Sequence, residues 1–190
     1  MRKFGSYAYE SAIFIGRFQP LHIGHLKNIL RGLEVAYQVI ILVGSSNCIP
    51  DTKNPFIYEK RKHMILKDLE YINIPINRII IRPIPDYYEK NKWIKNTTNT
   101  ILGLCGSQKI CIIGHKKDRS SYYLKCFKAW DYIPVNKHKN LDAVTFRYFY
   151  FKYNIILTSH LISKDPYKGT FKELISFFSS PIFWMIKSQF

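Results

Sequence analysis

The stretch Ala12-Ile13-Phe14-Ile15-Gly16-Arg17-Phe18-Gln19-Pro20-Leu21-His22-Ile23-Gly24-His25-Leu26 decides the fold. Four apolar residues in a row stop at Gly16. Beyond the loop, Leu26, Ile29, Leu30, Leu33 and Tyr37 recur at the spacing of a helix face. A strand that is apolar at every position needs cover on both of its faces. A strand that hands over to a helix belongs to a crossover connection. The same alternation continues outward. Residues 39–43, VIILV, form a second strand closed by Gly44, and Met64, Ile65, Leu69 and Ile72 mark a second helix. Residues 78–84 give a third strand, and Trp93, Ile94, Ile101 and Leu104 a third helix. Residues 110–113, ICII, form a fourth strand ending at Gly114, followed by a short helix around 120–127 and a strand near 132–135. The pattern predicts an α/β fold: a Rossmann-like doubly wound parallel sheet of about five strands with helices on both faces. In such sheets ligands bind beyond the carboxyl ends of the strands, here Gly16, Gly44, Pro83 and Gly114.

The chain has 190 residues, 47% of them hydrophobic and 22% charged. That is enough apolar matter for one domain with a core, and the composition is not that of a disordered chain. Lys and Arg number 29 against 13 Asp and Glu, a formal charge of +16, which suits polyanionic ligands such as nucleotides and phosphates. The positive charge is spread along the chain without a basic helix or RNA-binding motif, so stable nucleic-acid binding is not expected. No apolar run approaches the ~18 residues of a membrane span, and the first ten residues lack a signal-peptide core, so a cytoplasmic location is expected. Cys48, Cys105, Cys111 and Cys126 lack C-x-x-C spacing and read as reduced thiols. No metal-ligand set stands out.

The loop from Gly16 to His25 fits one physical purpose. Gly16 lets the chain turn, and Gly24 lets a ligand approach the backbone. The helix that begins near His25 offers N–H groups to an anion. His22 and His25, three apart at the helix entry, can face one side of a bound phosphate. Arg17 adds a planar cationic fork.

With those residues in place, HIGH after a first strand resembles the nucleotidyltransferase superfamily with the H-x-G-H motif. The longer string GRFQPLHIGHL, residues 16–26, resembles the nicotinamide mononucleotide (NMN) adenylyltransferases of the archaeal type, whose bacterial version is often fused to a Nudix hydrolase. Further blocks agree: Gly44-Ser45-Ser46-Asn47, Lys53-Asn54-Pro55-Phe56, Glu59-Lys60-Arg61, and the run from Gly114 to Leu124. The resemblance implies ATP and NMN as substrates, with Mg²⁺ accompanying ATP. It implies catalytic roles for Arg17, His22, His25, Lys53 and Arg147. It implies ATP contacts from Gly16, Arg17, Phe18, His22, Gly24, His25, Gly114, Lys116, Asp118 and Arg147. It implies NMN contacts from Phe18, Asn54, Asp86, Asn91 and Trp93.

Each of these has a plainer reading. Lys53 before Asn54-Pro55 could be a solvated turn. Trp93, beside Ile94 and Ile101, could be core. Asp86 could cap the next helix. Lys116, Lys117 and Arg119 could be a solvated charge run. Two departures from the family pattern stand out. Val144 occupies the place of a family hydroxyl three before Arg147, and Thr145 lies one residue later, about 100° round a helix of ~3.6 residues per turn. Asn91 is only an approximate counterpart of the family's Asn near Trp93. Other transfers on the same scaffold remain alternatives: a pantetheine-phosphate adenylyltransferase, a cytidylyltransferase, or a non-catalytic nucleotide-sensing or nucleic-acid-binding module. The resemblance sets a nucleotidyltransferase domain over 1–150. Residues 151–190 are expected to form a helical extension packed on it. The apolar tail, with Ile182, Phe183, Trp184 and Ile186, is a candidate surface for a homo-oligomer.

Overall fold

A computed structural model describes residues 7–106, 109–115, 123–136, Ala143 and Arg147. Five strands and three long helices follow the expected order. They are β1 (Tyr9–Gly16), α1 (Ile23–Val35), β2 (Ala36–Val43), α2 (Tyr58–Tyr71), β3 (Ile79–Pro83), α3 (Lys90–Cys105), β4 (Ile110–Gly114) and β5 (Asp131–Pro134). All four strand pairings are parallel, in the order β3-β2-β1-β4-β5. The order reverses between β1 and β4, which opens the crevice in which such sheets bind ligands.

The apolar runs 12–15, 39–43 and 110–113 are apolar on every residue because both faces of the sheet are covered there. Phe14, Val39, Ile41, Ile81 and Ile113 face one way and meet Leu26, Ile29 and Leu33 of α1 with Ile65 and Leu69 of α2. Ile13, Ile15, Ile40, Leu42 and Ile112 face the other way and meet Ile101 of α3, Leu124 and Phe127. Alternate residues of one strand therefore serve two cores.

Two boundaries differ from the sequence expectation. Tyr37 belongs to β2, not to the first helix: the chain passes from Val35 to Ala36 with no turn residue between, and Ala36 is already extended. The first strand is also longer than its apolar run, beginning at Tyr9. Of the short helix expected around 120–127, a single 3-10 turn at residues 123–125 is described. Lys116, Asp118, Val144, Thr145 and the segment 151–190, with its expected helices and oligomer surface, lie outside the described residues. None of the four cysteines forms a disulfide. Among the described residues no helix is long and apolar enough to cross a membrane.

Candidate active site

The histidines of the first loop are built into the start of α1. His22 is its N-cap residue and only 8% exposed. Its Nδ1 accepts the Gly24 amide at 3.1 Å, while the His22 amide donates to His25 Nδ1 at 3.2 Å. This is a reciprocal capping box made by two imidazoles instead of Ser and Glu. The rings stack, with centroids 3.7 Å apart and planes 29° apart. A neutral imidazole that accepts at Nδ1 carries its proton on Nε2. Capping thus fixes the tautomer of both rings and leaves Nε2–H as the donor of each.

The Gly24 amide donates to His22, and a Cβ there would lie 3.0 Å from His22 Cε1. The glycine therefore leaves room for the His22 ring over the helix start. Phe18 is likewise set beneath the site. It is 1% exposed and stands edge-on to Phe14 at 5.4 Å and tilted against His25 at 4.8 Å. Gly16 lies against the Phe18 ring, where a Cβ would come within 3.0 Å.

Beyond the ends of β1, β2 and β3 lies a cavity of about 610 Å³. Gly16, Arg17, His25, Asp86 and Trp93 line it, together with Gly44, Ser45, Tyr87, Tyr88, Lys90, His115 and Tyr123. Asp86 does not cap α3. Its main chain is held at both ends by Asn47, whose Oδ1 accepts the Asp86 amide at 2.8 Å and whose Nδ2 donates to the Asp86 carbonyl at 3.2 Å. The Cys48 thiol donates to Asp86 Oδ2 at 3.5 Å. Burial first, and then this bond to the carboxylate, push the thiol above its ordinary value, so it stays protonated as a donor. Trp93 lines the cavity and also packs on Phe127, with ring centroids 5.9 Å apart.

Other expected residues, Phe18, His22 and Gly24 among them, do not line this cavity. Lys53 is exposed in a turn that Asp51 closes, its Oδ1 accepting the amides of Lys53 and Asn54 at 2.8 and 2.5 Å. Asn54 Oδ1 is buried with no hydrogen-bond partner among the described residues. Asn91 is exposed on the first turn of α3. Gly114 packs under Leu124, whose Cδ2 would lie 2.8 Å from an added Cβ. Arg147 reaches the first loop, where its Nη1 donates to the Gln19 carbonyl at 3.1 Å.

Two residues with no expected role hold the loops together. Gln19 exchanges two buried hydrogen bonds with Phe56. Arg61 is 1% exposed, and its guanidinium donates to the carbonyls of Arg17, Gly44 and Ser45 at 2.7, 2.7 and 3.1 Å. Burial pulls it below the ordinary guanidinium value, which Cys48, Asp86 and Glu59 oppose. The signal was present in the sequence. Arg61, Met64, Ile65, Asp68 and Leu69 share one helix face, and a charge on an apolar stripe is buried with it.

The sheet order, the loop after β1 and the stacked histidines define a nucleotidyltransferase of the H-x-G-H kind. A family model described as cytidylyltransferase-like matches residues 13–116, and the chain belongs to that family. Within it, the chain is similar over 186 residues to the nicotinamide/nicotinic acid mononucleotide adenylyltransferase of Acinetobacter baylyi, at 33% identity, covering 97% of this chain and 95% of that one. It is 42% identical over 81 residues to the nicotinamide-nucleotide adenylyltransferase of Saccharolobus solfataricus, covering 43% of this chain and 47% of that one. In structure it resembles a bifunctional NMN adenylyltransferase/ADP ribose pyrophosphatase from Francisella tularensis. The TM-score is 0.75 at 39% identity, over 93% of this chain and 52% of that one. The chain therefore spans about half of the Francisella protein. A second structure of that enzyme is complexed with AMP and a manganese ion.

Proposed function

We propose that the protein is a nicotinamide-nucleotide adenylyltransferase, transferring AMP from ATP to NMN to give NAD and pyrophosphate. The observation that carries this reading is the stacked His22–His25 pair, its tautomers fixed by capping, with His25 lining a cavity that also holds Trp93 and Asp86. Near-full-length similarity to the Acinetobacter enzyme supports it.

In the proposed reaction an oxygen of the NMN phosphate attacks the α-phosphorus of ATP. The new P–O bond joins the two nucleotides, and the bond from the α-phosphorus to the bridging oxygen breaks. The electron pair leaves with pyrophosphate. No covalent enzyme intermediate is needed, so the work is positioning two anions and stabilising transition-state charge. His22 and His25 donate Nε2–H to the triphosphate. Arg17, Lys53 and Arg147 offset the charge that builds on the leaving group, and Lys116 and Asp118 complete the ATP site. Trp93 offers a flat apolar face to the nicotinamide ring, and Asp86 an acceptor for its carboxamide. Magnesium enters as MgATP. The ion would be held mostly by triphosphate oxygens and water, as a hard cation that keeps much of its hydration. A soluble cytoplasmic location fits these substrates.

The Acinetobacter relative's name includes the nicotinic acid nucleotide, so both acceptors belong in the assay. Incubating the protein with MgATP and either NMN or its acid form, and following dinucleotide and pyrophosphate, tests the proposal. NAD and pyrophosphate in equal amounts from NMN are expected. Turnover of the acid form alone would overturn the choice of NMN. No turnover of either would overturn the activity.

A further inference from the structure

The buried guanidinium of Arg61 donates to four main-chain carbonyls, those of Ile57, Arg17, Gly44 and Ser45. Three of those carbonyls belong to the loops after β1 and β2. One nitrogen, Nη1, donates to both Arg17 and Gly44 at 2.7 Å. Each of these residues precedes a non-glycine residue in the left-handed region, Phe18 with φ 50° and Ser45 with φ 52°. Such a conformation is disfavoured for L-residues and persists where its surroundings over-determine it. In a trans peptide the C=O and N–H point in opposite directions. Drawing the Arg17 and Gly44 carbonyls onto Arg61 therefore turns the amides of Phe18 and Ser45 away from it. Gly16, Arg17, Gly44 and Ser45 line the cavity, and Arg61 does not.

We infer that Arg61 is a positioning residue for the nucleotide site: one guanidinium fixes the two strand-end loops in the left-handed turns that set their amides and Arg17 at the cavity. The inference about catalysis rests on the adenylyltransferase reading above, whereas the inference about loop geometry does not. A planar fork with five donors can hold three carbonyls at once, and an ammonium cannot hold them in the same directions. Arg61→Lys keeps the charge and much of the stem, and Arg61→Met keeps only the stem.

The test compares Arg61→Met and Arg61→Lys with wild type by hydrogen exchange and by steady-state kinetics, at a temperature where near-ultraviolet dichroism shows each variant folded. Exchange needs no substrate, so it tests the loops even if the wild type proves inactive with ATP and NMN. Faster exchange by at least tenfold in peptides covering 16–19 and 44–47, with α3 unchanged, is expected in both variants. The fall in kcat is expected to be about 10- to 100-fold in Arg61→Met and smaller in Arg61→Lys, with a rise in KM for ATP. Uniformly faster exchange with unchanged kcat and KM per folded molecule would reduce Arg61 to a structural residue and overturn the inference. If Arg61→Met does not fold, Arg61→Lys decides: wild-type exchange in both loops with wild-type kcat and KM overturns it.

Discussion

Gln19 and Phe56 pair like neighbours in a β-ladder, although one contributes a side chain. Gln19 Nε2 donates to the Phe56 carbonyl at 2.9 Å, and the Phe56 amide donates to Gln19 Oε1 at 3.0 Å. Both bonds are buried. The Gln19 carbonyl in turn accepts Arg147 Nη1 at 3.1 Å. One residue of the first loop thus fastens the turn that carries Lys53 and Asn54, and meets the arginine that the resemblance assigns to the phosphates.

Replacing Gln19 by Leu keeps the bulk and removes both hydrogen bonds to Phe56. At about 0.5–1.5 kcal/mol for each lost bond, stability should fall by roughly 1–3 kcal/mol. Urea denaturation measures it. Gln19→Glu is acceptor-only when ionised and regains a donor when protonated, so at low pH it should fall between Leu and wild type. A loss below 1 kcal/mol in Gln19→Leu would mean that water replaces the side chain.

His22→Ala and His25→Ala should each lower kcat by about 10²-fold or more, the usual loss for a transition-state donor. His22→Ala should also lower stability by about 1 kcal/mol, because it removes an N-cap. Steady-state kinetics with MgATP and NMN, alongside thermal unfolding, separates the two effects. Near-wild-type kcat in both folded variants would remove the histidines from the chemistry.

Gly24→Ala separates the ring's position from its presence. Alanine favours the helix by about 1 kcal/mol over glycine. Its Cβ nevertheless meets His22 Cε1 at 3.0 Å and Nδ1 at 3.1 Å, so the ring must tilt and its bond to the residue 24 amide must lengthen. Stability should change by less than about 1 kcal/mol, while kcat falls about tenfold, consistent with the sensitivity of catalysis to small misplacements. Loss of stability with unchanged kcat would contradict the shaping role.

The succession of strands and helices, the two-faced sheet and the first loop were legible because each rests on local pattern. Val39 to Val43 is apolar throughout, and only a strand covered on both sides takes such a run. What was not legible depends on distance. Arg61 bonds to carbonyls up to 44 residues away, and Asn47 to Asp86 across 39. A polar residue's partner cannot be read from its neighbours in sequence. The packing of Gly24 and Phe18 was not legible for a related reason: only the folded rings show that one makes room for His22 and the other lies under His25.

Trp93 stands between the cavity and the core, so Trp93→Ala should have two effects. Loss of its packing on Phe127 should cost about 2–4 kcal/mol, near the low end for truncating a large aromatic that is only partly buried. If its cavity face stacks on nicotinamide, KM for NMN should rise at least tenfold while KM for ATP changes less than threefold. Trp93→Phe should recover most of the stability and part of the NMN affinity. Equal losses for both substrates would leave Trp93 as a core residue alone.

Tyr123 gives the fold an alkaline limit. Its hydroxyl donates to the Ile15 carbonyl at 3.1 Å, at the end of β1, and burial pushes its pKa up to about 12. In the unfolded chain a tyrosine ionises near its ordinary value of about 10. A pKa that is higher in the folded state means that the native protein holds a proton the unfolded chain has lost. Stability from Tyr123 is therefore fully present below about pH 10 and declines as pH rises towards about 12, by at most about 1.4 kcal/mol per pH unit for one proton. Buried Cys111, also pushed up to about 12 by burial, acts in the same direction from a lower starting value. Tyr123→Phe removes one ionisation and one hydrogen bond. At pH 8 it should be less stable than wild type by about 1 kcal/mol. Between pH 10 and 12 its stability should fall less steeply, so the gap narrows or reverses. Urea titrations of both proteins at pH 8, 10 and 11 read the difference directly and cancel the other tyrosines, of which the chain has 14 in all. Parallel curves across that range would show that Tyr123 ionises as easily in the folded protein as in the unfolded one.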